Sequence, residues 1–340
     1  MGIASALRSA ATSALGFFAL VAAAATTNPQ QEMIDALQRA TQAVVGVQVG
    51  AAEGARSAET LGRQREGSGV VIGPDGLILT IGYLMLEADA IQVVTHDGRT
   101  LPARPVAYDL ATGFGLIRPL LPLRGIAPVP LGSAGDIAPG SPLMASTGGD
   151  GGEVALTQLV SKRAFSGYWE YHIESALFTS PPVRNHSGAP LFNQRGELLG
   201  IGSLFVGNAL GDNTRTLPGN MYVPVDLLKP ILAELQQTGS TRISRRPWLG
   251  LSSAEQGGRV QIIRVNKDSP AQDAGLAAGD VVLAIEGEKV STLEAFYKKL
   301  WSAPEPDGEV HLTVLQGAEI RQVTVKAVDR MKTLRRPAGI

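Results

Sequence analysis

There is no cysteine anywhere in the 340 residues. That absence excludes disulfides, thiolate metal sites, a cysteine nucleophile and a lipidated N-terminal cysteine, while leaving the compartment open. Net charge is also scarce, at −1. With 31 Asp plus Glu against 30 Lys plus Arg, no overall field exists to draw in nucleic acid or an anionic membrane, so neither is expected as a partner. What abounds is turn-forming residue types, 40 Gly and 21 Pro, in a chain long enough for two domains with a core each.

The N-terminus stands apart in composition. Arg8 precedes an uncharged run from Ala10 to Ala25 that carries Leu15, Phe17, Phe18, Leu20 and Val21 and ends in Ala23-Ala24-Ala25. A basic start, a short apolar stretch and small residues of A-x-A type read as a secretory signal peptide over residues 1–27. An uncleaved N-terminal anchor is the alternative. Either reading puts the rest of the chain outside the cytoplasm, in the periplasm or tethered to the membrane facing it.

From Gln30 to Gln42 the apolar spacing is helical, and Ala43 to Val49 turns β-branched as a strand does. Gly50 to Gly67 is polar and rich in Gly, Ala and Arg, as expected of an exposed loop. Short apolar runs follow at Ser68–Ile72, Leu77–Thr80, Ile91–Thr95, Leu116–Ile117, Val154–Val160, Leu177–Thr179, Pro190–Phe192 and Leu198–Ile201. Pro74-Asp75-Gly76 and Asp97-Gly98-Arg99 are turns between them, with glycine supplying positive φ. Many short strands at close spacing predict a mainly β barrel or sandwich. Asp226 to Gln237 reads as a helix stopped by Gly239. Residues 240–246 are polar and basic, the best linker in the chain. A second, α+β unit follows over 247–329: strands at Val260–Val265, Val281–Glu286, Val310–Leu315 and Gln322–Lys326, a short helix at Ala271–Ala274, and a helix at Thr292–Leu300. Residues 330–340 form a basic tail expected to be loose.

Six segments carry a resemblance. Gly67-Ser68-Gly69-Val70-Val71-Ile72-Gly73-Pro74-Asp75-Gly76-Leu77-Ile78-Leu79-Thr80 is similar to the first barrel of the HtrA (DegP/DegQ-like) serine proteases. Ser187-Gly188-Ala189-Pro190-Leu191 through Ile201 is similar to their nucleophile strand. Tyr222-Val223-Pro224-Val225 matches the end of the protease segment. Trp248-Leu249-Gly250-Leu251, Ser269-Pro270-Ala271 and Ala274–Val282 look like a PDZ domain. The resemblance implies a trypsin-like double β-barrel over residues 30–239, with its active site between the barrels, followed by a PDZ domain. It also implies homo-oligomers, commonly trimers.

The resemblance also shows what is missing. The family's triad histidine follows the Ile-Leu-Thr strand, where this chain has Thr80-Ile81-Gly82-Tyr83. Its aspartate falls at Gly113, within Asp109-Leu110-Ala111-Thr112-Gly113. Only Ser187 remains, with Asn185, His186 and Ala189 replacing Gly, Asn and Gly around it. A serine hydroxyl needs a positioned base to become a nucleophile. Tyrosine, with a pKa of about 10, is a proton donor at neutral pH. His186 adjoins Ser187, but neighbours on a tight turn point apart. The oxyanion donors would be the N–H groups of Asn185 and Ser187, and Asn takes up unusual φ less freely than Gly. His96 reads as a surface residue, and His172 and His311 have no second ligand at metal spacing, so no metal or cofactor is expected.

The second domain keeps the parts a PDZ domain needs. Its glycine-containing loop presents N–H groups to a peptide's terminal carboxylate while the peptide adds as a strand. Trp248, Leu249, Gly250 and Leu251 fit that loop. Leu251, Leu293 and Phe296 are candidates to line the pocket for the terminal residue, with core positions as the alternative, above all for Leu293. The expectation is a pseudoprotease that binds peptides or unfolded protein C-termini, as a scaffold or as a regulatory partner of an active homologue. An active serine endopeptidase is the alternative.

Overall fold

The computed structural model describes residues 28–211, 215–303 and 305–334. The expected leader, 1–27, and the end of the tail, 335–340, lie outside the described residues. The chain enters through a helix, Pro29–Gln42, with proline at its first position and Asn28 as N-cap accepting from the Gln30 N–H. Both are residue types that favour a helix start.

Six strands then close a barrel: β1 (Val44–Ala51), β2 (Gln64–Val71), β3 (Ile78–Ile81), β4 (Ala88–Val94), β5 (Thr100–Tyr108) and β6 (Phe114–Pro119), in the order β1-β2-β3-β6-β5-β4. A second set closes likewise: β7 (Pro142–Ser146), β8 (Val154–Gly167), β9 (Tyr171–Ser180), β10 (Pro190–Phe192), β11 (Leu198–Val206) and β12 (Gly219–Pro224), in the order β10-β11-β12-β9-β8-β7. Closure leaves no unpaired barrel edges. One buried core runs through both barrels, from Val45 and Val47 to Phe178, Phe192 and Ile201. The mainly β double barrel is as the resemblance implies.

The C-terminal domain is a sheet of β13 (Pro247–Trp248), β14 (Leu251–Gln256), β15 (Arg259–Val265), β16 (Val281–Ile285), β17 (Glu288–Lys289), β18 (Gly308–Gln316) and β19 (Glu319–Asp329). Its order is β13-β19-β18-β16-β15-β14, with β17 on β16. The helix Leu293–Leu300, capped by Thr292, buries Leu293, Phe296, Tyr297 and Leu300. They pack into a core separate from that of the barrels.

Several elements depart from expectation. The stretch read as an exposed loop contains a helical turn, Ala58–Leu61, and the start of β2. Arg65 there is buried. Strand β8 runs seven residues past Val160 and β9 begins at Tyr171, so their hairpin projects beyond the barrel. The helix expected from Asp226 is broken into a 3-10 turn, Val225–Leu227, and a helix, Leu232–Thr238. Pro230 lies between them and cannot donate in a helix interior. Gly239 does end it, at φ +79.

The segment read as a linker is pinned rather than free. Asp109, wholly buried, accepts from the Thr112 N–H (2.9 Å) and hydroxyl (2.6 Å) in its own turn. It also accepts from the hydroxyls of Thr241 and Ser244. Those two residues are themselves buried, and the Gly239 carbonyl accepts from the Tyr108 N–H. The start of the tail is ordered too: Arg330–Thr333 forms a helical turn capped by Asp329, and Lys332 pairs with Asp307. Asp109→Ala would strand four buried donors, so a loss of about 3 kcal/mol or more in urea denaturation is expected. Faster proteolysis between Gly239 and Arg246 should accompany it; unchanged stability would show that the tether carries no load.

Candidate functional site

The Ser187 loop sits at the seam between the barrels and is bonded to both. The Ser68 N–H, on β2, donates to the Ser187 carbonyl (2.8 Å). The Gly188 N–H donates to the Gly202 carbonyl (2.8 Å) on β11. Gly188 has φ +74, and a Cβ there would stand 2.0 Å from the Ser68 carbonyl oxygen. Gly67 and Gly202 are equally closed: a Cβ would stand 2.6 Å from the Ser187 carbonyl and 2.1 Å from that of His186. Glycine at 188 is therefore demanded by packing, whatever the neighbouring hydroxyl does.

Tyr83 is carried by the 3-10 turn Gly82–Met85. The buried Arg65 guanidinium holds that turn by donating to the carbonyls of Tyr83 (3.2 Å) and Leu86 (2.7 Å). The Tyr83 hydroxyl oxygen lies 2.7 Å from the Ser187 hydroxyl and 2.9 Å from the Ser203 carbonyl. A phenol has one proton and a carbonyl only accepts. Both contacts are met at once when Tyr83 donates to Ser203 and Ser187 donates to Tyr83. Burial pushes the Tyr83 hydroxyl up to about 12, so it holds its proton across the neutral range and offers no base.

Gly113, where the resemblance implies a carboxylate, carries no side chain. Gly113 has φ +85, and a Cβ there would stand 3.4 Å from the Tyr171 hydroxyl. That hydroxyl donates to the Thr112 carbonyl (2.6 Å), and the Gly113 carbonyl accepts from the Gly82 N–H (2.7 Å). Tyr83, Gly113 and Ser187 thus gather at the seam, bringing together a phenol, a glycine without a side chain and a serine hydroxyl. The ring Nδ1 of His186 lies 3.1 Å from the Arg184 carbonyl. That contact requires the hydrogen on Nδ1, and burial lowers the ring's pKa. Among the described residues no imidazole or carboxylate bonds to the Ser187 hydroxyl. Asn185 is exposed, and the described non-glycine residues with positive φ are Glu87, Glu170, Asp268 and Glu286.

His172 does gain carboxylate neighbours that spacing did not reveal. Glu174 and Glu294 come within 4.8 Å of its ring nitrogen. The Lys298 ammonium already pairs with both, at 2.8 and 2.6 Å, so a cation stands there.

In the C-terminal domain the loop Leu249-Gly250-Leu251 gathers a carboxyl group, and it is one of the chain's own. Glu170, at the tip of the β8–β9 hairpin and 6% exposed, accepts from the N–H groups of Leu249 (3.2 Å), Gly250 (2.8 Å) and Leu251 (2.8 Å). Gly250 makes this possible with φ +84, where a Cβ would meet Ser269 at 2.3 Å. Trp248 does not line a groove. Its ring helps close the chamber around Glu170, with Leu110, Arg246, Trp301 and Arg330. Leu249, Leu251, Leu293 and Phe296 are buried in the domain core. Glu170 carries no local sequence signal, since its partners lie about 80 residues further on.

Two six-stranded barrels meeting at a serine loop, followed by a sheet whose first loop gathers a carboxyl group, define a trypsin-like peptidase domain joined to a PDZ domain. Residues 67–201 match the trypsin-like peptidase domain family and residues 247–327 the PDZ domain family. In this order the two matches make the chain similar to HtrA-type serine proteases that carry a PDZ domain. It is 28% identical over 283 residues to a probable periplasmic DegP-like serine endoprotease of Halomonas elongata, covering 78% of this chain and 57% of that one. To the serine endoprotease DegS of Haemophilus influenzae it is 27% identical over 272 residues, covering 76% of each. The chain thus spans little more than half the length of the DegP-like relative. Among solved structures, the HtrA-type protease AlgW with a tripeptide superimposes with a TM-score of 0.53 at 21% identity, over 90% of this chain and 98% of that one. The serine endoprotease from Yersinia pestis gives 0.52 at 21% identity, over 87% and 97%.

Burial pushes the Glu170 carboxyl up from 4.5 to about 7, against the pull of its three N–H donors and of Arg330. The seat therefore binds a proton more tightly than the unfolded chain does. The stability this contributes is full below 4.5 and is lost as the pH rises through about 7. The difference in melting temperature between the wild type and Glu170→Gln is expected to shift against the wild type over that range and then level off. A difference that is flat or moves the other way contradicts this assignment.

Proposed function

We propose that this chain is an HtrA-like pseudoprotease that binds peptides or unfolded protein C-termini through its PDZ domain. Its place is envelope protein quality control, as a scaffold or as a regulatory partner of an active homologue. The observation that carries the reading is the Tyr83–Ser187 contact of 2.7 Å, which puts a proton-holding phenol where catalysis needs a base. Without a base the serine hydroxyl is not activated, and Gly113 offers no group to orient one. The barrels then serve as a rigid platform and the PDZ domain as the part that recognises other chains.

Export is supported by the relatives' names, which place DegP-like proteins in the periplasm, and by the apolar leader. Among the described residues no helix is long and apolar enough to cross a membrane. The competing reading, an active endopeptidase with Ser187 as nucleophile and Asn185 and Ser187 as oxyanion donors, draws on the names of the same relatives.

A fluorophosphonate probe together with digestion of unfolded casein separates the two. Labelling and cleavage by the wild type are expected to match Ser187→Ala, about 10⁴-fold or more below an intact triad. Labelling that depends on Ser187 and is accompanied by cleavage would overturn the proposal.

A further inference from the structure

We propose that the peptide groove of the PDZ domain is occupied in cis: Tyr168-Trp169-Glu170, at the tip of the β8–β9 hairpin, is its resident ligand, and a peptide with a free terminal carboxylate enters only by displacing it. The inference rests on the reading of the PDZ domain as the peptide-binding part and adds how that part is controlled.

Four observations converge. The N–H groups of Leu249, Gly250 and Leu251, which a terminal carboxylate needs, are all engaged by the Glu170 carboxyl. Strand β14 ends the sheet order, so its outer edge is where a peptide strand adds. There the Ser253 N–H already donates to the Tyr168 carbonyl (2.8 Å). Ser253 lies two residues beyond Leu251, and Tyr168 two residues before Glu170. The hairpin tip therefore meets the loop and the edge in the register an extended peptide would use.

The opposite wall grips the same segment. Tyr297, on the helix Leu293–Leu300, donates its hydroxyl proton to the Gly167 carbonyl (2.8 Å) and accepts from the Glu170 N–H (3.3 Å). Arg330 donates to the Trp169 carbonyl (3.4 Å), and Lys298 pairs with Glu174 on β9 (2.8 Å). Finally, Glu170 holds a left-handed φ of +57, a conformation that glycine would adopt without strain. Keeping glutamate at such a position fits a need for its carboxyl group.

Displacement has a chemical condition. The incoming group must be a carboxylate able to take the same three N–H donors, so an amidated peptide end does not compete.

The test uses the folded chain and fluorescein-labelled decapeptides of randomised sequence ending in Leu, Val or Phe, each with a free carboxylate or a terminal amide. Read by anisotropy, Glu170→Ala is expected to bind the carboxylate peptides at least tenfold more tightly than the wild type, with no binding of the amides. Glu170→Gly removes the same carboxyl group while relieving the backbone strain, and it should give the same result if the alanine variant folds poorly. Equal binding by wild type and variants overturns cis occupancy and leaves the peptide-binding reading intact. If no protein binds any peptide, hydrogen exchange at the amides of Leu249, Gly250, Leu251 and Ser253 decides. Protection in the wild type that falls at least tenfold in the variant upholds occupancy and removes the peptide reading. Fast exchange in both overturns occupancy.

Discussion

The two barrels are locked to one another where the Ser187–Gly188 turn presses against Ser68. That contact leaves no freedom: a single added carbon at Gly188 would stand 2.0 Å from the Ser68 oxygen. The turn keeps its serine and glycine because β2, β11 and the Tyr83 turn all bond to it or pack on it. Tyr83 completes the seam with a phenol that bonds both the Ser187 hydroxyl and the Ser203 carbonyl, and its burial raises the cost of ionising it.

Two buried carboxyl groups then determine where the PDZ domain sits. Asp109 fixes Thr241 and Ser244 to the first barrel, which shortens the free chain between the domains almost to nothing. Glu170 reaches from the second barrel into the carboxylate loop. Each is satisfied by several donors, as a buried acid must be. Together they turn what would be a flexible arm into a docked domain whose recognition loop already holds a ligand. The extended β8–β9 hairpin makes the second contact possible, because a hairpin ending near Val160 would not project to the loop.

Much of this was legible in the sequence, and the parts that were not share a cause. Turns announced themselves through Asp-Gly pairs, and Tyr83, Gly113 and Ser187 through short motifs that resemble a known family, although Tyr83 and Ser187 lie 104 residues apart. The tether and the seat did not. Thr241 and Asp109 are 132 residues apart, and a polar segment looks like a linker until its distant acceptor is known. Residues 161–167 lack the alternation of a half-buried strand, since most are partly buried on both faces, and so the hairpin was read too short. Pro230 was a signal that local reading should have used: it breaks the helix that apolar spacing alone predicts.

Under the proposed function the Ser187 hydroxyl serves packing rather than hydrolysis. A double-mutant cycle in urea, with Tyr83→Phe, Ser187→Ala and the pair, measures this most directly. A structural hydroxyl pair predicts that each single change destabilises the fold and that the two are coupled by about 1 kcal/mol. If Ser187→Ala leaves stability unchanged or raises it, with no coupling to Tyr83, the serine is held for some purpose other than the seam and the account fails.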